Sequence, residues 1–233
     1  LPYRISYYDT YGDQTARPDF SKPTGITKSS ILNKYFEAIG GKEKLEKVNA
    51  LMTMGEAVLQ GGAMTLNLVT IQAKPNKLSV MMLMMGNIMM KQVFNGEDGY
   101  IMQQGQKIPF PEEEKQKLIS SSLPFEELGW IDDENVTFSS VSEEDGSKQY
   151  VLKIDDKTTV FFDAETGLKT KQVTMAPTPE GSIGPQATIY EEYRDVDGIL
   201  FPHVIKIPLG PQTLEFNTKE IQLNPAISDS DFN

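Results

Sequence analysis

The 233-residue chain holds one histidine, His203, and no cysteine. A nucleophilic triad would have to run through that one imidazole, zinc sites with several histidines are excluded, and thiolate chemistry is absent. His203 stands in "FPHVIKIP", at the mouth of a strand and without partners that would define a site, so it reads as structural or solvent-facing. Carboxylates are plentiful: Glu112 to Glu114, Asp132 to Glu134, Glu143 to Asp145, Asp155 with Asp156, and Asp195 with Asp197. Each group falls in a turn or at a helix start, where acids solvate loops and cap backbone N–H groups. "EEDGS" and "DVDG" lack the twelve-position calcium pattern, and "GSIGPQ" lacks the Lys-Ser/Thr of a phosphate loop. Asn135-Val136-Thr137 is a formal glycosylation sequon and reads as a chance match. No catalytic residue, metal ligand or cofactor is expected.

The methionines are the remaining chemistry. Ten of the eleven lie between Met52 and Met102, six of them in "VMMLMMGNIMM", Val80 to Met90. Thioethers can ligate soft metals, line an adaptable apolar site, or fill a core. In a strand, Met81, Leu83 and Met85 share one face and Met82 and Met84 the other, which is not the open, histidine-assisted clustering of copper sites. Metal ranks last; plain core comes first and a ligand-adaptable cavity second. Both faces of this strand avoid water, so each needs a cover. The spacing predicts a hairpin at Gly86-Asn87.

The elements that must position these residues follow from periodicity. Residues 1–26 carry prolines and no sustained apolar period, and read as an extended connector from a preceding domain. Its Tyr3, Tyr7, Tyr8, Tyr11 and Phe20 are costly to leave in water, so it is expected to lie against the domain or a neighbour. A start at Leu1 without initiator methionine or signal features fits a removed signal or a piece of a longer chain. Residues 27–233 are expected to form one domain. Thr27 caps a helix with the stripe Ile31, Leu32, Tyr35, Phe36 and Ile39, ending at Gly40-Gly41, and that stripe can cover one face of the methionine strand. A short helix follows over Lys42 to Val48.

Strand-length segments come next: Leu51 to Gln60, Met64 to Lys74, Lys77 to Met85, Ile88 to Asn95 and Gly99 to Gln104. Short turns such as "KPN" and "NGED" join antiparallel neighbours. Pro111 to Ser121 reads as an interrupting helix. A second series runs Val136 to Ser142, Gln149 to Ile154, Thr158 to Asp163, Lys169 to Met175, Ala187 to Tyr193, Val204 to Ile207 and Thr213 to Leu223. The pattern predicts a mainly β chain with a few helices: one large antiparallel sheet, curved or partly closed, with helices against one face. A net charge of −11 argues against nucleic acid and anionic membrane surfaces, and no run approaches the roughly 18 apolar residues of a membrane-spanning helix.

"AIGG" (Ala38 to Gly41) ahead of a β-meander, "FNGEDGY" (Phe94 to Tyr100) before a lid-like helix, "FFDAETGL" (Phe161 to Leu168) and "DGILFP" (Asp197 to Pro202) resemble the LolA/LolB-type outer-membrane lipoprotein carriers over residues 28–233. The resemblance implies an incomplete β-barrel with helices on its concave face, a periplasmic location in the cell envelope, and an apolar cavity for a lipid, acyl chain or lipoprotein. The cavity side chains it implies are Met52, Met54, Leu66, Leu68, Met82, Met84, Met89, Phe94 and Met102. The order "YYDTYGD", "PDFSKP", "AIGGKEKL", "MMGNIMMKQVFNGEDGY" and "DSDF" is similar to the region after the peptidase halves in some envelope M16-type (insulinase-like) zinc peptidases of Gram-negative bacteria. That likeness implies an accessory domain of a peptidase, without its inverted zinc motif, since one histidine cannot supply His-x-x-Glu-His.

Overall fold

A computed structural model describes residues 7–8, 14–15, 22–59, 65–103, 105–144, 146–177, 182–209 and 212–233. A short pair, β1 (Tyr7–Tyr8) with β2 (Gln14–Thr15), comes first. Most of the expected connector lies outside the described residues. At its end Lys22 donates to the Phe138 carbonyl at 2.6 Å, and Ile26 packs on the main core.

Helix α1 (Lys28–Ile39) begins with a reciprocal cap: the Thr27 hydroxyl accepts from the Ser30 N–H, and the Ser30 hydroxyl accepts from the Thr27 N–H. Its five stripe residues are all buried. The helix closes with the Gly41 N–H on the Phe36 carbonyl at 2.7 Å. Gly40 takes φ +133°, and a Cβ there would meet the Gly198 carbonyl oxygen at 2.4 Å, so the helix end docks backbone to backbone on a hairpin turn. Helix α2 (Lys42–Glu46) is one turn long, shorter than expected.

Thirteen strands form one open antiparallel sheet. The first meander is β3 (Ala50–Leu59), β4 (Thr65–Ala73), β5 (Lys77–Met84), β6 (Asn87–Phe94), β7 (Gly99–Gln103) and β8 (Gln106–Pro109). Two helices intervene, α3 (Glu112–Ser121) and the unanticipated α4 (Glu127–Trp130). The second meander is β9 (Thr137–Glu144), β10 (Ser147–Lys153), β11 (Thr158–Asp163), β12 (Lys169–Pro177), β13 (Ile183–Val196), β14 (Ile199–Leu209) and β15 (Gln212–Leu223). β15 returns to pair with β3, so the two meanders fuse into one sheet with β8 and β9 as its edges. A final 3-10 turn, η1 (Asp229–Phe232), packs Phe232 against Ala50, Ile71 and Ala73. Among the described residues no helix is long and apolar enough to cross a membrane.

Three expectations need correction. The methionine hairpin turns at Met85-Gly86, because Met84 pairs with Asn87 and both turn residues have positive φ, 49° and 80°, as a two-residue primed turn demands. The β13–β14 hairpin is far longer than the segments Ala187 to Tyr193 and Val204 to Ile207. Asp197 and Gly198, with φ 52° and 80°, join Val196 directly to Ile199. Pro202 is tolerated there because β15 pairs with β14 only from Val204 onward, leaving that side of Pro202 without a ladder partner. Finally, the α1 stripe covers Leu51, Phe162, Ile199 and Phe201, not the methionine strand. It is α3 that covers β5 and β6, with Leu118 packed on Leu78, Phe94 and Phe110.

Candidate apolar site on the concave face

Directly paired residues of antiparallel strands project to the same side of a sheet, so the register assigns every side chain to a face. Leu51, Thr53, Gly55 and Ala57 of β3 pair with Gln72, Thr70, Leu68 and Leu66 of β4; of these β4 residues, Leu68 and Thr70 pair with Met82 and Val80 of β5. Across β15 the same face carries Phe216 and Thr218, and Phe216 pairs with Ile205 of β14. This is the concave face that α1, α3 and α4 cover, since Leu51, Leu78 and Phe94 belong to it.

The helices cover only part of it. Leu66, Leu68, Met82, Ile205, Ile207 and Phe216 are half-buried, and none belongs to a helix-capped core cluster. They form an apolar trough. At its floor lies a cavity of about 300 Å³ lined by Thr53, Gly55, Glu56, Leu68, Thr70, Ile205, Phe216, Asn217 and Thr218, the lower end of the range, roughly 300 to 1,000 Å³, in which small-molecule sites fall. Gly55 makes the floor possible. A Cβ there would strike the Asn217 carbonyl oxygen at 2.5 Å, at the point where β15 takes in the extra residue Lys219. No side chain fills that position.

The boundary between trough and packed core is charged. Lys169 of β12 and Glu127 of α4 form an ion pair with side chains 12% and 5% exposed. The Lys169 ammonium also lies 4.6 Å from the centre of the Tyr190 ring, and the Tyr193 hydroxyl donates to the Lys169 carbonyl at 2.7 Å. Tyr190 pairs with Ile205, which ties this cluster to the trough wall. Burial alone would lower the Lys169 pKa, but Glu127 and the tyrosines outweigh it and hold the group charged, above its ordinary value. Burial, then the Glu127 charge, pushes Tyr35 up. Glu126, beside them, is raised by burial and by Glu127 to about 7, against the pull of Lys169.

Of the side chains implied from sequence, Leu66, Leu68, Met82 and Met84 fall on the concave face, in or beside the trough. Phe94 shares the face but is 1% exposed and sealed under α3. Met52, Met54 and Met102 project from the opposite face, Met52 towards Phe232. Met89 is the bulged residue between the Met82–Met90 and Leu83–Ile88 pairs and is exposed. Thr53, Gly55, Thr70, Ile205, Phe216 and Thr218 were not foreseen. A glycine inside an otherwise regular strand was the available signal for Gly55. Ile205 and Phe216 reach the site only through the pairing of β15 with β3. His203 sits with Nδ1 2.9 Å from the Phe201 carbonyl oxygen, a local bond that fixes this nitrogen as the protonated one.

No protein-family model and no curated protein sequence matches the chain. Solved structures do match its fold. A LolA superfamily protein from Nitrosomonas europaea is similar at 15% identity and a TM-score of 0.58, over 90% of this chain and 98% of that one. A DUF1329 family protein from Desulfovibrio piger matches at 10% identity and a TM-score of 0.58, over 88% and 95%. A Vibrio parahaemolyticus domain named for outer membrane lipoprotein sorting matches at 12% identity and a TM-score of 0.53, over 87% and 97%. The fold is LolA-like.

Proposed function

We propose that this chain binds an apolar chain, a lipid or the acyl part of a lipoprotein, in the concave trough, and that it does so in the bacterial cell envelope as a non-enzymatic module. The observation that carries this is the uncapped row Leu66, Leu68, Met82, Ile205, Ile207 and Phe216 above a cavity floored by Gly55. Such a surface costs free energy in water unless something apolar covers it, at roughly 25 cal/mol per Å². Unbranched methionine suits an occupant of variable shape. The fold shared with a LolA superfamily protein and with a domain named for lipoprotein sorting supports both the ligand class and the envelope location.

Native mass spectrometry and displacement of a fluorescent fatty acid test the reading. A bound acyl species, or displacement at micromolar ligand, is expected. Neither bound mass nor displacement at high micromolar concentration would sink it and leave an accessory role without ligand, as in the M16 peptidase likeness. Replacement of Met82 and Met84 by Ala should cost well below the roughly 2 to 5 kcal/mol per site of a sealed core.

A further inference from the structure

Strand direction puts the C-terminal ends of β3, β5, β7, β10, β12 and β14 at one end of the sheet, and the α1 terminus with Gly198 at the other. Of eight large apolar side chains exposed among the described residues, six stand at that first end: Met85 at 93%, Ile183 at 64%, and Ile88, Met89, Met175 and Leu209. They are spread over hairpin tips from β6 to β12, seven strand steps apart, or about 34 Å along the sheet at ~4.8 Å per strand.

Charge is withdrawn from the same end. Residues 65–73, 78–90, 172–177, 182–190, 207–209 and 212–214 carry none, and in the sequence of 60–64, 178–181 and 210–211 only Glu180 is charged, although the chain bears 55 charged residues. Lys107 bounds the stretch on one side and Asp155 to Lys157 on the other. On the convex side Val69, Met81 and Leu83 of the first meander are half-buried, while Glu56, Glu215 and Lys206 hold the adjoining rows on β3, β15 and β14.

The trough wall also parts here. β13 and β14 pair only between Ile189–Lys206 and the Asp197-Gly198 turn, so Ile183 to Thr188 lack β14 neighbours while Ile207 to Leu209 pair with β15 alone. A protein partner would be met by one contiguous patch. Separate apolar tips around an opening, themselves uncharged, instead match the headgroup boundary of an uncharged bilayer, and the net charge of −11 disfavours an anionic one.

We propose that this end of the sheet is an interfacial docking surface for an uncharged lipid bilayer, setting the split mouth of the trough against the membrane; it deepens the trough reading and rests on it for its purpose. Flotation of the full chain with phosphatidylcholine vesicles is the test, beside the same vesicles carrying phosphatidylglycerol. The wild type should float with the first and less with the second. Met85→Glu with Ile183→Glu should lower partition by about tenfold or more, with thermal midpoint and fatty-acid uptake from solution unchanged. Wild-type protein that takes up fatty acid yet ignores neutral vesicles, or vesicle binding unaffected by the charged tips, would overturn the proposal. So would tip-dependent dimerisation without flotation. Flotation without fatty-acid uptake would sustain the docking surface and remove the trough reading alone.

Discussion

Lys169 and Glu127 show how one ion pair can hold an element in place. A charge sealed this far from water is tolerated only while its partner stays, and removing one side leaves the other uncompensated. Lys169→Met should therefore destabilise the fold by about 3–5 kcal/mol, while adding Glu127→Gln should recover most of that loss; denaturant unfolding of the single and double variants measures both. Glu126 adds a pH dependence. Burial and the Glu127 charge raise its pKa in the folded chain from the ordinary 4.5 to about 7, so between these values the folded state holds a proton that the unfolded state has released. Stability should fall as pH rises from about 4.5 to 7 and level off above, by on the order of 1 to 3 kcal/mol from this group. In Glu126→Gln that decline should disappear from the thermal midpoint measured across the same range.

Among the elements, α1 was the most legible, because the cap at Thr27, a five-residue stripe and two glycines all agree, and each level of the sequence points the same way. The turn motifs were legible as turns but silent about their partners. "FFDAETGL" turns because Asp163 Oδ1 accepts from the Thr166 and Glu165 N–H groups at 2.7 and 3.1 Å, yet what it also supports is α1, whose Lys34 donates to the Ala164 carbonyl at 2.7 Å. "AIGG" and "DGILFP" meet at Gly40 and Gly198, a contact across more than 150 residues that no local pattern encodes. Which helix covers the methionine strand was misassigned for the same reason. Helix α3 is apolar mainly through Leu118 and Ile119 and is held on the sheet chiefly by them. Leu118→Ala should cost about 2–5 kcal/mol by cavity formation and expose Phe94, read as faster hydrogen exchange in β6 than in β11.

For the whole molecule, the sequence carried the class of architecture, since short turns between strand-length segments enforce a meander, but not its closure. The β3–β15 pairing that fuses the two meanders joins residues far apart in the chain, and it alone brings Ile205 and Phe216 beside Leu68. Methionine content marked the right region without marking the right face: Met52, Met54 and Met102 are as conspicuous as Met82 yet project away from the trough. Face is set by register. Leu68 points into the concave trough, and its chain neighbour Val69 points out of the opposite face. Binding of a fluorescent fatty acid to Leu68→Arg and Val69→Arg compares them directly, with both variants first checked for an unchanged thermal midpoint. Leu68→Arg should lose affinity at least roughly tenfold, as expected for a charge forced into an apolar site, and Val69→Arg should bind near the wild-type level. Equal binding by the two variants, or a loss confined to Val69→Arg, would contradict binding in the trough.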